Sequence, residues 1–327
     1  MNFLQQYQQY KKLIEAELEN LSYSRQAPAE VYQPMDYMLA IGGKRLRPVM
    51  TLAACEAFGG DVQKAIRPAL GIEVFHNFTL IHDDIMDNAP IRRGKPTVHQ
   101  KWNTNVGILS GDMMLIKAYE LVCSVDNMQL ARVLRVFNDT ATKVCEGQQL
   151  DMDFEEKDTV TVADYLKMIE AKTAVLLGGA LHVGALIAGA GDDDAEKMYR
   201  FGCKIGSAFQ VKDDWLDSFG DPQKVGKRIG GDIAEGKNTY LMIKTRELAS
   251  EAQRSQLFHI YHNGYNDQEK IQAVMQLYSQ LNISQITTDE IDRLYQEAMH
   301  ALHAVSMPDE QKNFFSEFAE FLIYRDF

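Results

Sequence analysis

The stretch FQVKDDWLD, residues 209–217, lies near the end of the longest part of the chain without proline, which runs from Thr97 to Asp221. A second part without proline runs from Gln223 to Met307. Because proline breaks helices and strand-rich folds need frequent turns, gaps of this length favour long helices. Apolar residues also recur at helical intervals, as at Phe3, Tyr7, Tyr10, Ile14 and Leu18. The sequence therefore predicts an all-α fold.

The helical pattern is interrupted by polar, glycine-rich or proline-containing segments. They fall at residues 22–34, 42–48, 59–60, 88–96, 189–194 and 220–237. None has the composition of a flexible linker, so we predict a single domain over residues 1–327. The most apolar stretch, Leu176 to Ala190, contains His182 and is too short and too polar for a membrane span. We expect a buried helix there, no stable membrane insertion and a cytoplasmic protein.

Composition argues against several classes of function. A net charge of −12 is a poor match for nucleic acid, which attracts basic surfaces. The four cysteines are scattered without a CxxC pair, which suits apolar packing in a reducing compartment and not a disulfide framework or zinc site. An acidic chain would also repel small anions unless metal ions mediate the contact.

The DDxxD spacing of residues 213–217 also occurs in IHDDIMD, residues 81–87. Residues four apart on a helix share a face, so the first and last aspartates of each motif project together. Such like charges repel, and a hard divalent cation removes the conflict, because Mg²⁺ prefers one or two carboxylates with phosphate oxygens and water. A solvated acidic helix face is the alternative. The apolar neighbours of each motif and the basic loops that follow favour metal-bound diphosphate.

Basic residues are concentrated in loops near these motifs. They occur in GGKRLRP at residues 42–48, in RRGKP at residues 92–96, and as Lys227 and Lys237 after the second motif. Arginine forks match phosphate oxygens bidentately. Each residue alone is typical of an ordinary exposed surface, but together they indicate phosphate binding.

The ordered motifs resemble those of the trans-isoprenyl diphosphate synthases, or polyprenyl synthetases. The motifs are residues 42–48, 76–87, 92–97, 111–112, 146–148, 172–173, 210–217, 226–227 and 236–239. The resemblance implies a single large helical bundle with a central substrate cavity and three Mg²⁺ ions per active site. It also implies a homodimer. The implied reaction ionises an allylic diphosphate, and isopentenyl diphosphate then attacks the carbocation.

The resemblance also assigns roles to individual residues. The implied metal ligands are Asp83, Asp87 and Asp213, supported by Asp84, Asp214 and Asp217. The residues implied to hold the allylic diphosphate are Arg92, Lys172, Lys227 and Lys237, and Thr173 and Gln210 face the carbocation. The implied isopentenyl diphosphate pocket consists of Lys44, Arg47, His76 and Arg93. No side chain is assigned as general base, and His82 is expected to be a packed or hydrogen-bonded neighbour.

Product length is implied by the residues before the first motif. Phe78 lies five positions before Asp83, and Thr79 lies four before it. One aromatic at this pair of positions resembles the pattern of geranylgeranyl diphosphate synthases, with farnesyl diphosphate as the next product. The alternative is that Phe78 belongs to the ordinary core. A class I terpene cyclase and a non-catalytic subunit of a heteromeric synthase are the rival interpretations. The cyclase normally lacks a second DDxxD, and such a subunit typically loses both motifs.

Overall fold

A computed structural model describes residues 2–155, 157, 159–221 and 229–324. The α-helices described are α1 Phe3–Asn20, α2 Ala29–Ala40, α3 Leu46–Ala57, α4 Val62–Met86, α5 Val98–Lys101, α6 Thr104–Val122, α7 Asn127–Glu155, α8 Val162–Ile169, α9 Val175–Ile187, α10 Asp192–Phe219, α11 Gly231–Glu235, α12 Tyr240–Leu248, α13 Glu251–His262, α14 Asp267–Gln280, α15 Ile283–His303 and α16 Asp309–Ile323. A π-helical turn, Glu170–Ala174, joins α8 to α9. Strands β1 (Ile91–Arg92) and β2 (Lys95–Pro96) form a short antiparallel hairpin. The all-α prediction is confirmed.

The chain divides into two compact units, each built from three separate stretches. The first unit contains Met1–Thr142, Leu176–Arg200 and Ala304–Phe314, and the second contains Lys143–Val175, Phe201–His303 and Phe315–Phe327. The single-domain assignment remains a prediction.

Helix α4 is the centre of the first unit. Its N-terminus is capped by Asp61, whose side chain accepts a hydrogen bond from the amide of Gln63 at 3.0 Å. Buried residues occur all around the helix, as expected for a helix surrounded by protein, and α3 and α6 pack against it. Gly71 permits the close approach of α6, because a Cβ atom there would lie 2.7 Å from Val122 Cγ2. The first aspartate motif therefore lies at the C-terminal end of a buried helix.

Helix α10 carries the second aspartate motif, and its residues from Phe201 onward belong to the second unit. Phe201, Ile205, Ala208 and Val211 are buried at helical spacing along the part of α10 that leads to the second motif. Burying a large apolar side chain stabilises a fold by about 1.5–3 kcal/mol, so this face fixes the direction of the helix. Each motif therefore lies near the C-terminal end of a helix that has a strongly buried face.

The apolar stretch Val162–Ile187 is long and apolar enough to cross a membrane, yet 72% of its most hydrophobic window is buried inside the protein. Leu176, Leu181 and Leu186 are each nearly inaccessible to solvent. The prediction of a buried helix in this stretch is confirmed.

Candidate active site

The first aspartate motif ends α4, and its three carboxylates have different exposure. Asp83 has a side chain that is 19% exposed, and Asp87 is exposed. Asp84 is buried, because one step along a helix rotates a side chain by about 100° away from its neighbour. The first and last aspartates are thus accessible to a ligand, whereas the second is directed into the protein.

Asp84 is paired with Arg92, which the hairpin after α4 supplies. Nε of Arg92 lies 2.8 and 2.9 Å from the two carboxylate oxygens, and Nη2 lies 2.7 Å from Oδ1. Nη2 also lies 3.5 Å from Oδ2 of Asp83. Burial raises the pKa of Asp84 and Arg92 opposes that rise. Arg92 therefore bridges the first two aspartates of the motif.

The hairpin turn has positive φ at both central residues, +51° at Arg93 and +74° at Gly94, as a type I′ turn requires. This turn directs Arg93 to the loop before α3, where its guanidinium donates to the carbonyl of Gly42. Two neighbouring arginines thus serve different partners, one at the aspartates and one at the Gly42 loop.

A group of basic side chains lies near Arg93. Nη1 of Arg47 is 3.2 Å from Nε2 of His76. Burial and then the charges of Arg47 and Arg93 hold the pKa of His76 well below its usual range, so the imidazole is neutral and accepts the hydrogen bond. Burial lowers the pKa of Arg47 to about 10. Lys44 is exposed, and its carbonyl accepts the hydroxyl of Tyr7. Such a cluster of cations attracts an anion.

Arg45 has a different function from its basic neighbours, which the sequence did not reveal. It is buried, with φ +55°, and its Nη1 lies 2.6 Å from Oε1 of buried Glu73. Its Nη2 donates to the carbonyl of Leu39 at 2.6 Å. Arg45 therefore joins the basic loop to α4.

The second aspartate motif has the same division of exposure. Asp213 is exposed and Asp217 is half-buried, whereas Asp214 is buried. The carboxylate of Asp214 accepts the hydroxyl of Tyr165 at 2.5 Å and the backbone N–H of Tyr240 at 3.0 Å. Burial raises the pKa of Asp214 to about 7, although both hydrogen bonds oppose the rise.

Asp232 adds a carboxylate to the second motif that sequence reasoning missed. Its backbone N–H donates to Oδ2 of Asp217 at 3.1 Å, and its Oδ1 lies 3.6 Å from Nζ of Lys237. Burial, followed by the charge of Asp217, raises the pKa of Asp232. In the sequence, the only signal for Asp232 was its position between the second motif and Lys237. Lys227, assigned to the allylic diphosphate, lies outside the described residues.

Lys172 and Thr173 lie in the π-helical turn, a feature common at functional sites. Nζ of Lys172 is 2.5 Å from Oδ2 of Asp151, a partner that the sequence did not identify. The backbone of the turn approaches α7 so closely that a Cβ atom at Gly147 would lie 2.6 Å from the Cα atom of Lys172. Gln210 is half-buried on α10. The close approach of the π-helical turn to α7 explains why residue 147, in the EGQ motif, is a glycine.

Phe78 belongs to a column of aromatic rings. It is buried, with ring centroids 5.5 Å from Phe75 and 4.8 Å from His82, and Phe75 continues to Phe137 at 5.2 Å. The ring of His82 also packs on Gly111, as expected for a packed neighbour. Thr79 is half-buried and donates its hydroxyl to the carbonyl of His76 at 2.8 Å. Its small side chain leaves the aromatic ring as the bulky member of the pair.

Among residues 2–155, 157, 159–221 and 229–324, no group of three or more His, Cys, Asp or Glu side chains is arranged to hold a metal ion. Pairs of accessible aspartates are the arrangement that Mg²⁺ uses when substrate phosphates complete its shell. An all-α fold with paired aspartates beside clustered cations defines a class of enzymes that act on diphosphates through metal ions.

Comparison with known proteins identifies the family. Residues 28–278 match the polyprenyl synthetase model. The chain is 44% identical over 222 residues to a geranylgeranyl diphosphate synthase of Methanosarcina mazei, covering 67% of this chain and 68% of that protein. It is 38% identical over 240 residues to a geranylfarnesyl diphosphate synthase of Natronomonas pharaonis, covering 68% and 70%. A crystal structure of a geranylgeranyl pyrophosphate synthase superposes with a TM-score of 0.92 at 42% identity, covering 98% and 99%.

The chain belongs to the polyprenyl synthetase family. The resemblance to trans-isoprenyl diphosphate synthases is thereby confirmed, and with it the prediction of a trans-prenyltransferase. The roles of individual residues stay predictions.

Proposed function

We propose that this enzyme condenses an allylic diphosphate with isopentenyl diphosphate and releases geranylgeranyl diphosphate. The observation that carries the proposal is the division of exposure within both aspartate motifs. In each, the first and last carboxylates are accessible and the second is compensated by the protein. A solvated acidic face would not bury its second aspartate with specific partners.

Mg²⁺ fits these residues, because its preferred ligands are hard carboxylate oxygens with phosphate and water. Asp83 and Asp87 would hold it at the first motif, and Asp213 and Asp217 at the second. We propose that Asp84 and Asp214 position these ligands, since their carboxylates are committed to Arg92 and to Tyr165. The resemblance implies three ions. When bound, Mg²⁺ neutralises negative charge that develops on the departing diphosphate.

The chain's own residues bind and orient the substrates. Arg47 and Arg93 are cations beside the neutral imidazole of His76, and with Lys44 they form the proposed isopentenyl diphosphate pocket. Arg92, Lys172, Lys227 and Lys237 are proposed to hold the allylic diphosphate, where positive charge favours cleavage of the C–O bond. Thr173 and Gln210, which are both half-buried, are proposed to present their side-chain oxygens to the carbocation.

Carbon–carbon bond formation depends on the proximity of the two held substrates. The double bond of isopentenyl diphosphate attacks the allylic carbocation, and the resulting cation loses a proton to the released diphosphate. The neutral state of His76 suits hydrogen bonding to a substrate and not delivery of a proton.

Phe78 is proposed as the floor for the growing chain. It lies five residues before Asp83 on α4, a rise of about 7.5 Å. Its contacts with Phe75 and His82 prevent the ring from turning aside. We expect a chain that grows along α4 from the first motif to stop at this ring.

The test supplies labelled isopentenyl diphosphate with dimethylallyl, geranyl or farnesyl diphosphate and separates the products by chromatography. The wild type is expected to stop at geranylgeranyl diphosphate, and Phe78→Ala to give longer products. Phe258→Ala is the matched control, because this phenylalanine is 64% exposed on α13. If Phe78→Ala made the same products as the wild type, Phe78 would not be the residue that limits product length. Absence of product from every starter would contradict the proposed reaction.

We also propose that the enzyme is a cytoplasmic homodimer. Helix α6 presents Ile108, Leu109 and Ile116 to solvent, with exposed fractions of 41%, 56% and 53%. Burying such a row against a second copy would remove apolar surface from water. Sedimentation should give a dimer for the wild type and a monomer for Leu109→Glu with Ile116→Glu. Wild-type monomers at micromolar concentration would contradict this assembly.

A further inference from the structure

The hairpin of β1 and β2 depends on contacts outside itself. It has two residues in each strand, and so short a hairpin is marginally stable in water. At its turn, Arg93 donates to the carbonyl of Gly42. At its end, the hydroxyl of Tyr37 donates to the carbonyl of Pro96, with an oxygen–oxygen distance of 2.7 Å. Both outside partners belong to one continuous segment, helix α2 and the loop after it.

Tyr37 is itself held in place by α5 and the residue after it. The edge of its ring meets Trp102, with centroids 5.3 Å apart. Nζ of Lys101 lies 3.7 Å from the centroid of the Tyr37 ring and 4.8 Å from that of Trp102. These cation–π and edge contacts restrict the ring, so its hydroxyl is directed at Pro96 before any ligand binds.

We propose that Tyr37 is a positioning residue for the isopentenyl diphosphate pocket. Its hydrogen bond sets the distance between residues 42–44 and the hairpin that carries Arg93. The inference rests on the proposed role of this pocket. Arg92 has a separate anchor, the buried carboxylate of Asp84. Loss of the Tyr37 hydroxyl should therefore affect isopentenyl diphosphate more than the allylic substrate.

Tyr37→Phe tests this directly, because it removes the hydroxyl and keeps the ring contacts. The KM for isopentenyl diphosphate should rise about two- to tenfold, the range of one neutral hydrogen bond. The kcat and the KM for the allylic diphosphate should change less than about twofold. The matched control is Tyr324→Phe, which removes a hydroxyl that donates to Asp292 at 2.9 Å on a tyrosine that is 54% exposed. It should leave all three constants and the thermal midpoint near those of the wild type.

A double variant decides whether Tyr37 acts through the hairpin. If it does, Tyr37→Phe should add nothing to the KM for isopentenyl diphosphate in the Arg93→Gln background. Multiplied effects of the two changes would overturn the proposal. A lower thermal midpoint with unchanged KM would also overturn it, because it would give Tyr37 a purely structural role. If Arg93→Gln itself left this KM unchanged, the proposed pocket would be wrong independently of Tyr37.

Discussion

The two aspartate motifs share a spacing but differ in how the protein compensates the buried second carboxylate. Asp84 is 2% exposed and meets the fixed cation of Arg92. Asp214 is 8% exposed and accepts hydrogen bonds from two neutral donors, the hydroxyl of Tyr165 and the backbone of Tyr240. The same sequence pattern is thus stabilised by charge pairing in one place and by hydrogen bonding in the other.

The consequence of this difference lies in protonation and in coupling to other residues. Burial raises the pKa of both carboxyl groups, but Arg92 opposes the rise at Asp84, whereas the pKa of Asp214 reaches about 7. The first motif is coupled to the position of an arginine on a hairpin. The second is coupled to a tyrosine on α8 and to the start of α12. Spacing alone therefore defines which carboxylates are accessible, and the surroundings define how each motif is held.

The largest expected effect separates the accessible aspartates from the buried ones. Asp83→Ala and Asp213→Ala should each lower kcat by about 10²–10³-fold or more, because each removes a proposed metal ligand. Asp84→Asn and Asp214→Asn should have smaller effects on kcat. Steady-state kinetics at saturating Mg²⁺ measures this, with Asp139→Ala, exposed on α7, as the control. Equal losses from all four motif variants would contradict the division of roles.

The second prediction concerns the stability of the two kinds of compensation. Arg92→Gln should lower the free energy of unfolding by about 2–4 kcal/mol, because it leaves a buried carboxylate without its cation; the partial exposure of Arg92 keeps the loss below that of a fully buried pair. Tyr165→Phe should cost about 1–2 kcal/mol, since Asp214 keeps its hydrogen bond from Tyr240.

Urea unfolding measures both losses. The double variant Arg92→Gln with Asp84→Asn provides the control, and it should recover part of the loss because no unpaired charge remains. A larger loss from Tyr165→Phe than from Arg92→Gln would reverse the comparison.

The third prediction is that Asp214 and His76 make the free energy of unfolding change with pH in opposite directions. The folded pKa of Asp214, about 7, exceeds its unfolded value, so its contribution to stability falls as pH rises from about 4 to 7. The folded pKa of His76 is below its unfolded value, so its contribution falls as pH drops below about 6.5. Each slope reaches at most about 1.4 kcal/mol per pH unit.

Chemical unfolding in EDTA between pH 5 and 8 measures these slopes. Relative to the wild type, Asp214→Asn should gain stability as pH rises, and His76→Gln should gain stability as pH falls. Slopes of the same sign would contradict these assignments.

Much of the fold followed from the sequence, because long helices with buried faces leave a strong periodic signal. The hairpin did not, since two residues per strand are too few to show alternation. The break expected at residues 22–34 is also shorter than predicted. Helix α2 begins at Ala29 and contains Pro34, whose ring is buried. A proline inside a helix removes one backbone hydrogen bond, and the burial of Pro34 compensates that loss.

The candidate site was predictable in its residue types but not in its internal division. Helical spacing predicted that the first and last aspartates of each motif project together, but only the structure shows that Asp84 and Asp214 are buried with protein partners. Arg45 was indistinguishable from Lys44 and Arg47, because its partner Glu73 lies 28 residues away in sequence. Such contacts depend on how helices meet, which a motif does not encode.

The smallest expected effect tests whether exposed ion pairs contribute to the stability of the second unit. Nζ of Lys204 on α10 lies 3.4 Å from Glu170 in the π-helical turn and 3.5 Å from Glu297 on α15. Because all three side chains are at least one-third exposed, Lys204→Met should cost only about 0.5 kcal/mol. That cost should disappear in 1 M salt, where such pairs are screened. A salt-independent loss of several kcal/mol would contradict this prediction, because it would mean that Lys204 stabilises the second unit by packing and not by exposed ion pairs.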